Sequence, residues 1–164
     1  MDNELFNIYS NFNGKNFSVL FEKLIVFINK YEKIFIKHTA KDLYNKVRQF
    51  KSQDFILGHS EDDFEELIAY YKNMLKQLDE KKICSQVIQL IWDISAYMLD
   101  EICPNCHYSN LRLTSSIDEK DTVKFCDECL YTSINNNYVE IDDEIIPANK
   151  KQVSAYLNSI RTKD

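Results

Sequence analysis

Cysteine is the residue type whose spacing in this chain carries chemistry. Cys103-Pro104-Asn105-Cys106 is followed, nineteen residues on, by Cys126-Asp127-Glu128-Cys129. Two residues between cysteines let one tight turn aim both sulfurs at the same ion. The gap is long enough for a two-stranded hairpin that returns the second pair to the first. The pattern reads as one tetrahedral site in which Cys103, Cys106, Cys126 and Cys129 hold a structural Zn2+. A closed set of four thiolates keeps no open coordination position, so such an ion pins a fold and does not itself catalyse.

Other reactive residue types are sparse. The three histidines, His38, His59 and His107, fall in no H-x-x-x-H pattern. His59-Ser60 beside Glu61, Asp62 and Asp63 mixes imidazole, hydroxyl and carboxylate, but a helix N-terminus accounts for all of it. Glycine occurs only at Gly14 and Gly58. Phosphate-cradling loops and nucleophile elbows need clustered glycines, so NTPase, dinucleotide-binding and α/β-hydrolase chemistry are disfavoured. Cys84 stands alone in an apolar-periodic segment and reads as a small buried hydrophobe.

The elements that must position the cysteines can be read from periodicity. Residues 1–16 are Asn-rich and read as a partly ordered segment. Phe17, Leu20, Leu24, Phe27, Tyr31 and Phe35 recur at threes and fours, a core helix with Ser18 as its cap. Thr39 with Asp42 resembles a capping box and opens a second helix that points Leu43, Tyr44, Val47 and Phe50 inward. Gly58 reads as the residue after a helix end. Ser60 with Asp63 opens a third helix, striped by Phe64, Leu67, Ile68, Tyr71, Leu75 and Leu78. A fourth is expected from Lys81 to Glu101, running straight into Cys103. Beyond it, Tyr108–Thr114 alternates as a strand, Ser115–Thr122 is a polar tip, and Val123 and Phe125 restart the alternation. Tyr131, Ile134, Val139 and Ile141 suggest a third strand or a further hairpin, with Asn135-Asn136-Asn137 as its turn. Pro147 breaks it, and Val153, Tyr156, Leu157 and Ile160 mark a short terminal helix. The expected fold is α+β and mainly helical: a helical body over 1–102, a four-cysteine module over 103–146, and a C-terminal helix over 147–164.

The two C-x-x-C pairs with Pro104 resemble a zinc ribbon, a small β module of transcription factors, polymerase subunits, ribosomal proteins and adaptors. The resemblance covers residues 102–141. It implies that backbone N–H groups of each knuckle face the thiolates, with Pro104 presetting φ after the first ligand. Where that family usually has glycine after each second cysteine, this chain has His107 and Leu130, which would have to accept a left-handed turn. Two other uses of the cysteines stay open, a rubredoxin-like iron centre and redox-active dithiols. Thioredoxin-type redox use expects C-x-x-C to open a helix after a strand, whereas Cys103 follows a helical pattern. HNH nucleases can carry paired knuckles, but Tyr108–Phe125 contains no histidine to act as a base.

Composition bounds the partners. The formal charge of −6 argues against a general nucleic-acid binder, since phosphate neutralisation needs a basic footprint. Charge is nevertheless uneven. Lys23, Lys30, Lys33, Lys37, Lys41, Lys46, Arg48 and Lys51 crowd one segment, and Asp54, Glu61, Asp62, Asp63, Glu65 and Glu66 dominate the next. The longest apolar run, Leu24–Ile28, is far too short to span a membrane. The N-terminus shows no secretory pattern, so a cytoplasmic, intracellular setting is expected. Cysteines in metal-type spacing agree with it. The leading expectation is a non-enzymatic, zinc-containing protein-binding module, such as a dedicated inhibitor of the toxin-immunity or phage-antagonist kind. It would meet its protein partner through Glu61, Asp62, Glu65, Glu66, Asp118, Glu119 and Asp121. The alternative is a zinc-ribbon nucleic-acid-binding or transcription-associated factor that uses the Lys23–Lys51 segment.

Overall fold

The computed structural model describes residues 1–59, 63–140 and 144–161. The fold is α+β, with helices first, an antiparallel sheet after them and a helix at the C-terminal end. The chain divides into two units, Met1–Gln53 with Glu61–Ile94, and Asp54–Ser60 with Ser95–Asp164. Among the described residues no helix is long and apolar enough to cross a membrane.

The first unit is built from α1 (Asp2–Ser10), α2 (Phe17–Lys30), α3 (Glu32–His38), α4 (Lys41–Val47), α5 (Phe64–Met74) and α6, which runs to Ser95 from Glu80. Residues 1–16 are more regular than their composition suggests, because Leu5, Ile8 and Tyr9 share the buried face of α1. Lys30 and Tyr31 both bond the Glu4 carboxylate, which ties α1 to the end of α2. The core of this unit takes Leu20, Phe21, Leu24, Phe27 and Ile28 from α2, Phe35 from α3, Tyr44 from α4, and Ile83, Val87, Leu90 and Ile91 from α6. Cys84 is a free thiol in the same core, and burial pushes it up to about 11.

Several helix ends differ from the sequence expectation. The cap position of α2 is Asn16, not Ser18, and it makes no side-chain cap bond. The cap of α4 is Ala40, while Thr39 closes α3 in an extended conformation, so Thr39 and Asp42 form no capping box. At α5 the cap is Asp63, whose carboxylate accepts from the N–H groups of Glu65 and Glu66. Ser60, expected to open that helix, lies outside the described residues, as do Glu61, Asp62 and Ile141. Gly58 does take positive φ, but it lies within a turn and not directly after a helix.

The largest correction concerns the approach to Cys103. The helix expected as far as Glu101 stops at Ser95, and the next segment is a strand, β1 (Tyr97–Ile102). Met98 would continue the stripe of α6, yet Tyr97 and Leu99 alternate into the sheet instead. Pairing with β2 (Asn110–Ser116) overrides the helical period.

The second unit contains β1, β2, β3 (Thr122–Phe125), β4 (Thr132–Ile134), β5 (Asn137–Tyr138), β6 (Ile145–Pro147) and α7 (Lys150–Arg161). All pairings are antiparallel and run β1-β2-β3-β4-β5. β6 joins β2 at Thr114–Ser116, beyond the stretch that β1 covers. Pro147 therefore ends a strand where the sequence suggested only a break. The β4–β5 turn is made by Asn135 and Asn136 at φ 52° and 65°, as asparagine permits in a two-residue hairpin. β2 lies under cover on both faces, with Leu111 and Leu113 on one and Arg112 and Thr114 on the other. Leu99, Leu111, Leu113, Ala148 and Val153 form the core together with Cys103 and Cys126.

Candidate metal centre

Each cysteine pair sits in a turn at the end of a hairpin. The first turn joins β1 to β2, and the second joins β3 to β4. The two turns are built alike. In the first, the N–H of His107 bonds the Cys103 carbonyl at 3.0 Å and the N–H of Cys103 bonds the Ser109 carbonyl at 2.9 Å. In the second, Leu130 bonds Cys126 and Cys126 bonds Tyr131, each at 2.9 Å. His107 and Leu130 adopt φ 59° and 58°. These are the left-handed positions that the departure from glycine required.

All five cysteines are free thiols. The sulfurs of Cys103, Cys106, Cys126 and Cys129 lie within 4.8 Å of one another. Across the two turns, Cys103 Sγ is 3.6 Å from Cys129 Sγ, and Cys106 Sγ is 3.7 Å from Cys126 Sγ. A tetrahedral ion with bonds of about 2.3 Å separates its thiolates by about 3.8 Å, so the cluster has the dimensions of such a site. Polar groups around it suit negative sulfur. Ser109 Oγ lies 3.2 Å from Cys126 Sγ. Burial pushes the Cys103 thiol up to about 11, against the N–H groups of Cys106 and Asn105, which favour its thiolate. The Asn105 side chain, opposed by burial and helped by the Tyr131 N–H, holds Cys129 down to about 6. The donor set and its surroundings are compatible with a metal ion such as zinc in a zinc-ribbon-like module. Comparison with protein-family models, curated proteins and solved structures gave no match.

Cys103 follows a strand and not the expected helix, which removes one argument against redox use. The structure supplies another, because the segment after Cys106 runs into β2 and opens no helix.

The acidic residues singled out in the sequence are spread over both units. Glu65 and Glu66 belong to the first turn of α5, and Gly14 at φ 75° passes so close to the Glu65 carboxylate that a Cβ there would lie 2.0 Å from Oε1. Asp118, Glu119 and Asp121 form the β2–β3 turn. Asp118 bonds Ser116 and the Lys120 N–H and pairs with Lys120 Nζ at 2.5 Å. Glu119 accepts from Asn149 at 3.3 Å. The Asp118 and Glu119 carboxylates are thus bonded within the second unit.

Sequence reasoning missed a cluster behind the sheet. Lys124 of β3, mostly buried, bonds Glu101 at 2.6 Å and Asn136 at 2.8 Å, and Tyr156 of α7 donates to Glu101 at 2.5 Å. These residues line a cleft of about 460 Å³. Their polar groups bond one another, so the cluster acts as a tie between α7 and the sheet. No linear spacing announces it, because its members come from β1, β3, the β4–β5 turn and α7.

Proposed function

We propose that this chain is a non-enzymatic protein-binding module whose β unit is folded around one structural zinc ion held by Cys103, Cys106, Cys126 and Cys129. The observation that carries the reading is the closed thiol cluster. Four sulfurs at tetrahedral spacing, two of them fully buried in a core, leave no coordination position for a substrate. In its narrower form the module is a dedicated inhibitor of a basic protein, which the net negative charge favours.

Metal analysis of the purified chain should find about one zinc per molecule, lost in Cys103→Ser and Cys126→Ser and retained in Cys84→Ala. Iron in its place, or both pairs recovered as disulfides, would overturn the metal assignment. Stoichiometric binding of one purified protein from the source cell supports the module reading.

A second reading has one observation in its favour. Lys23, Lys33, Lys37 and Lys41 are all exposed on α2–α4, a basic stretch of sequence on an acidic protein. A nucleic-acid factor would retain oligonucleotide through these lysines with a steep salt dependence, and charge reversal at Lys33 and Lys37 would abolish it.

A further inference from the structure

The cysteine end of the β unit presents large apolar side chains to solvent. Tyr108 is 89% exposed, Leu130 70% and Ile102 66%. Ile102 directly precedes Cys103, Leu130 directly follows Cys129, and Tyr108 lies two residues past Cys106. Since the sulfurs of Cys103 and Cys129 are only 3.6 Å apart, these residues are gathered at one end of the sheet. They are also held firmly there. Backbone bonds at 2.9–3.0 Å close both turns, and Tyr131 beside Leu130 packs on Tyr138 with ring centroids 5.8 Å apart. Exposed aromatic and branched side chains are what a protein contact uses as anchors, and a backbone already fixed by hydrogen bonds has less freedom to lose on binding.

The charge around these anchors is mainly acidic. Segments 97–111 and 125–140 contain Asp100, Glu101, Asp127, Glu128 and Glu140. Arg112 and Lys124 flank these segments and pair with Asp127 and Glu101, while Asp100 is exposed and Glu128 is exposed between the cysteines of the second turn. The balance is acidic and favours a cationic partner over a phosphate backbone. We infer that the cysteine end is the docking surface for a basic protein, one that offers an apolar pocket for Tyr108 and Leu130 within a rim of Lys or Arg. This inference rests on the module reading and names its contact face. That face differs from the acidic turn at Asp118–Asp121, whose carboxylates at Asp118 and Glu119 are bonded locally.

The test uses the full chain loaded with zinc and followed by amide NMR. The first probe is a synthetic amphipathic peptide of Leu, Trp and Lys; the controls are its Glu-for-Lys counterpart and a duplex oligonucleotide. The Lys peptide should shift the amides of Ile102, Tyr108 and Leu130, and neither control should. The double variant Tyr108→Ala/Leu130→Asn should weaken that binding by about tenfold or more at unchanged zinc content. Asparagine is chosen at 130 because it tolerates the left-handed backbone. Ile102→Thr, which keeps the strand, gives a second measure and should weaken binding in the same direction. Shifts confined to other residues, or unchanged binding by the double variant, overturn the inference. Reversible self-association through these three residues, seen by sedimentation, overturns it in favour of a second copy. A purified natural partner whose affinity survives the double variant overturns this surface while leaving the module reading intact. Oligonucleotide binding at the α2–α4 lysines, with no protein partner, overturns both.

Discussion

His107 and Leu130 hold the left-handed backbone that glycine adopts without strain, each immediately after the second cysteine of its pair. An ordinary side chain there costs about 1–2 kcal/mol, part of which glycine gives back through its freer unfolded chain. His107→Gly is therefore expected to stabilise the β unit by about 0.5–1 kcal/mol, read as a rise in the denaturation midpoint at constant zinc. Leu130→Gly should do the same, since its side chain is mostly exposed and little burial is lost. Asn105 supports the site by another route, as its side chain favours the Cys129 thiolate. Asn105→Ala should lower zinc affinity by about 10–100-fold in a chelator competition, with all four ligands still present. The four cysteines were legible in the sequence because a two-residue spacer has few other uses. The roles of Asn105 and Ser109 were not, because they arise only once the turn is closed.

At the scale of elements, the helical stripes of α2, α5 and α6 were legible because threes and fours repeat over several turns. Helix ends were not. Capping depends on where a carboxylate lands, and Asp63 rather than a hydroxyl residue satisfies the first N–H groups of α5. Asp63→Ala should cost about 1 kcal/mol, measured by urea denaturation. In α7 the same job is reciprocal: Asn149 Oδ1 accepts from the Gln152 N–H while Gln152 Oε1 accepts from the Asn149 N–H. β1 was missed because Ile94 and Met98 keep the helical interval across the point where the chain changes structure. The β2–β3 turn carries a pH dependence. Its hydrogen bonds to Lys120 and Ser116 hold the Asp118 carboxyl down to about 2. A depressed carboxylate stabilises the turn above its ordinary range near pH 4, and that contribution fades as pH falls towards 2. Asp118→Asn should flatten the dependence, as followed by the amide shifts of Ser116 and Lys120.

For the molecule as a whole, the four clustered cysteines all lie in the second unit, and the first unit has its own apolar core. Structural zinc is worth about 10–16 kcal/mol of apparent binding free energy in isolated finger peptides. A chelator should therefore accelerate hydrogen exchange across residues 95–161 and leave α2 and α6 largely protected; uniform loss would show that the two units do not fold separately. The placement of β6 separates the cysteine cluster from the protection of the sheet edge. The four cysteines lie within residues 103–129, but Ile145–Pro147 cover the edge of Thr114–Ser116. A chain that lacks these residues keeps all four cysteines while offering an open strand edge to its neighbours. A chain ended at residue 140 should accordingly take up zinc and yet associate, the two properties separating by metal analysis and sedimentation. Protection of the β2 edge thus depends on residues that follow both cysteine turns in the chain and contribute nothing to the thiol cluster.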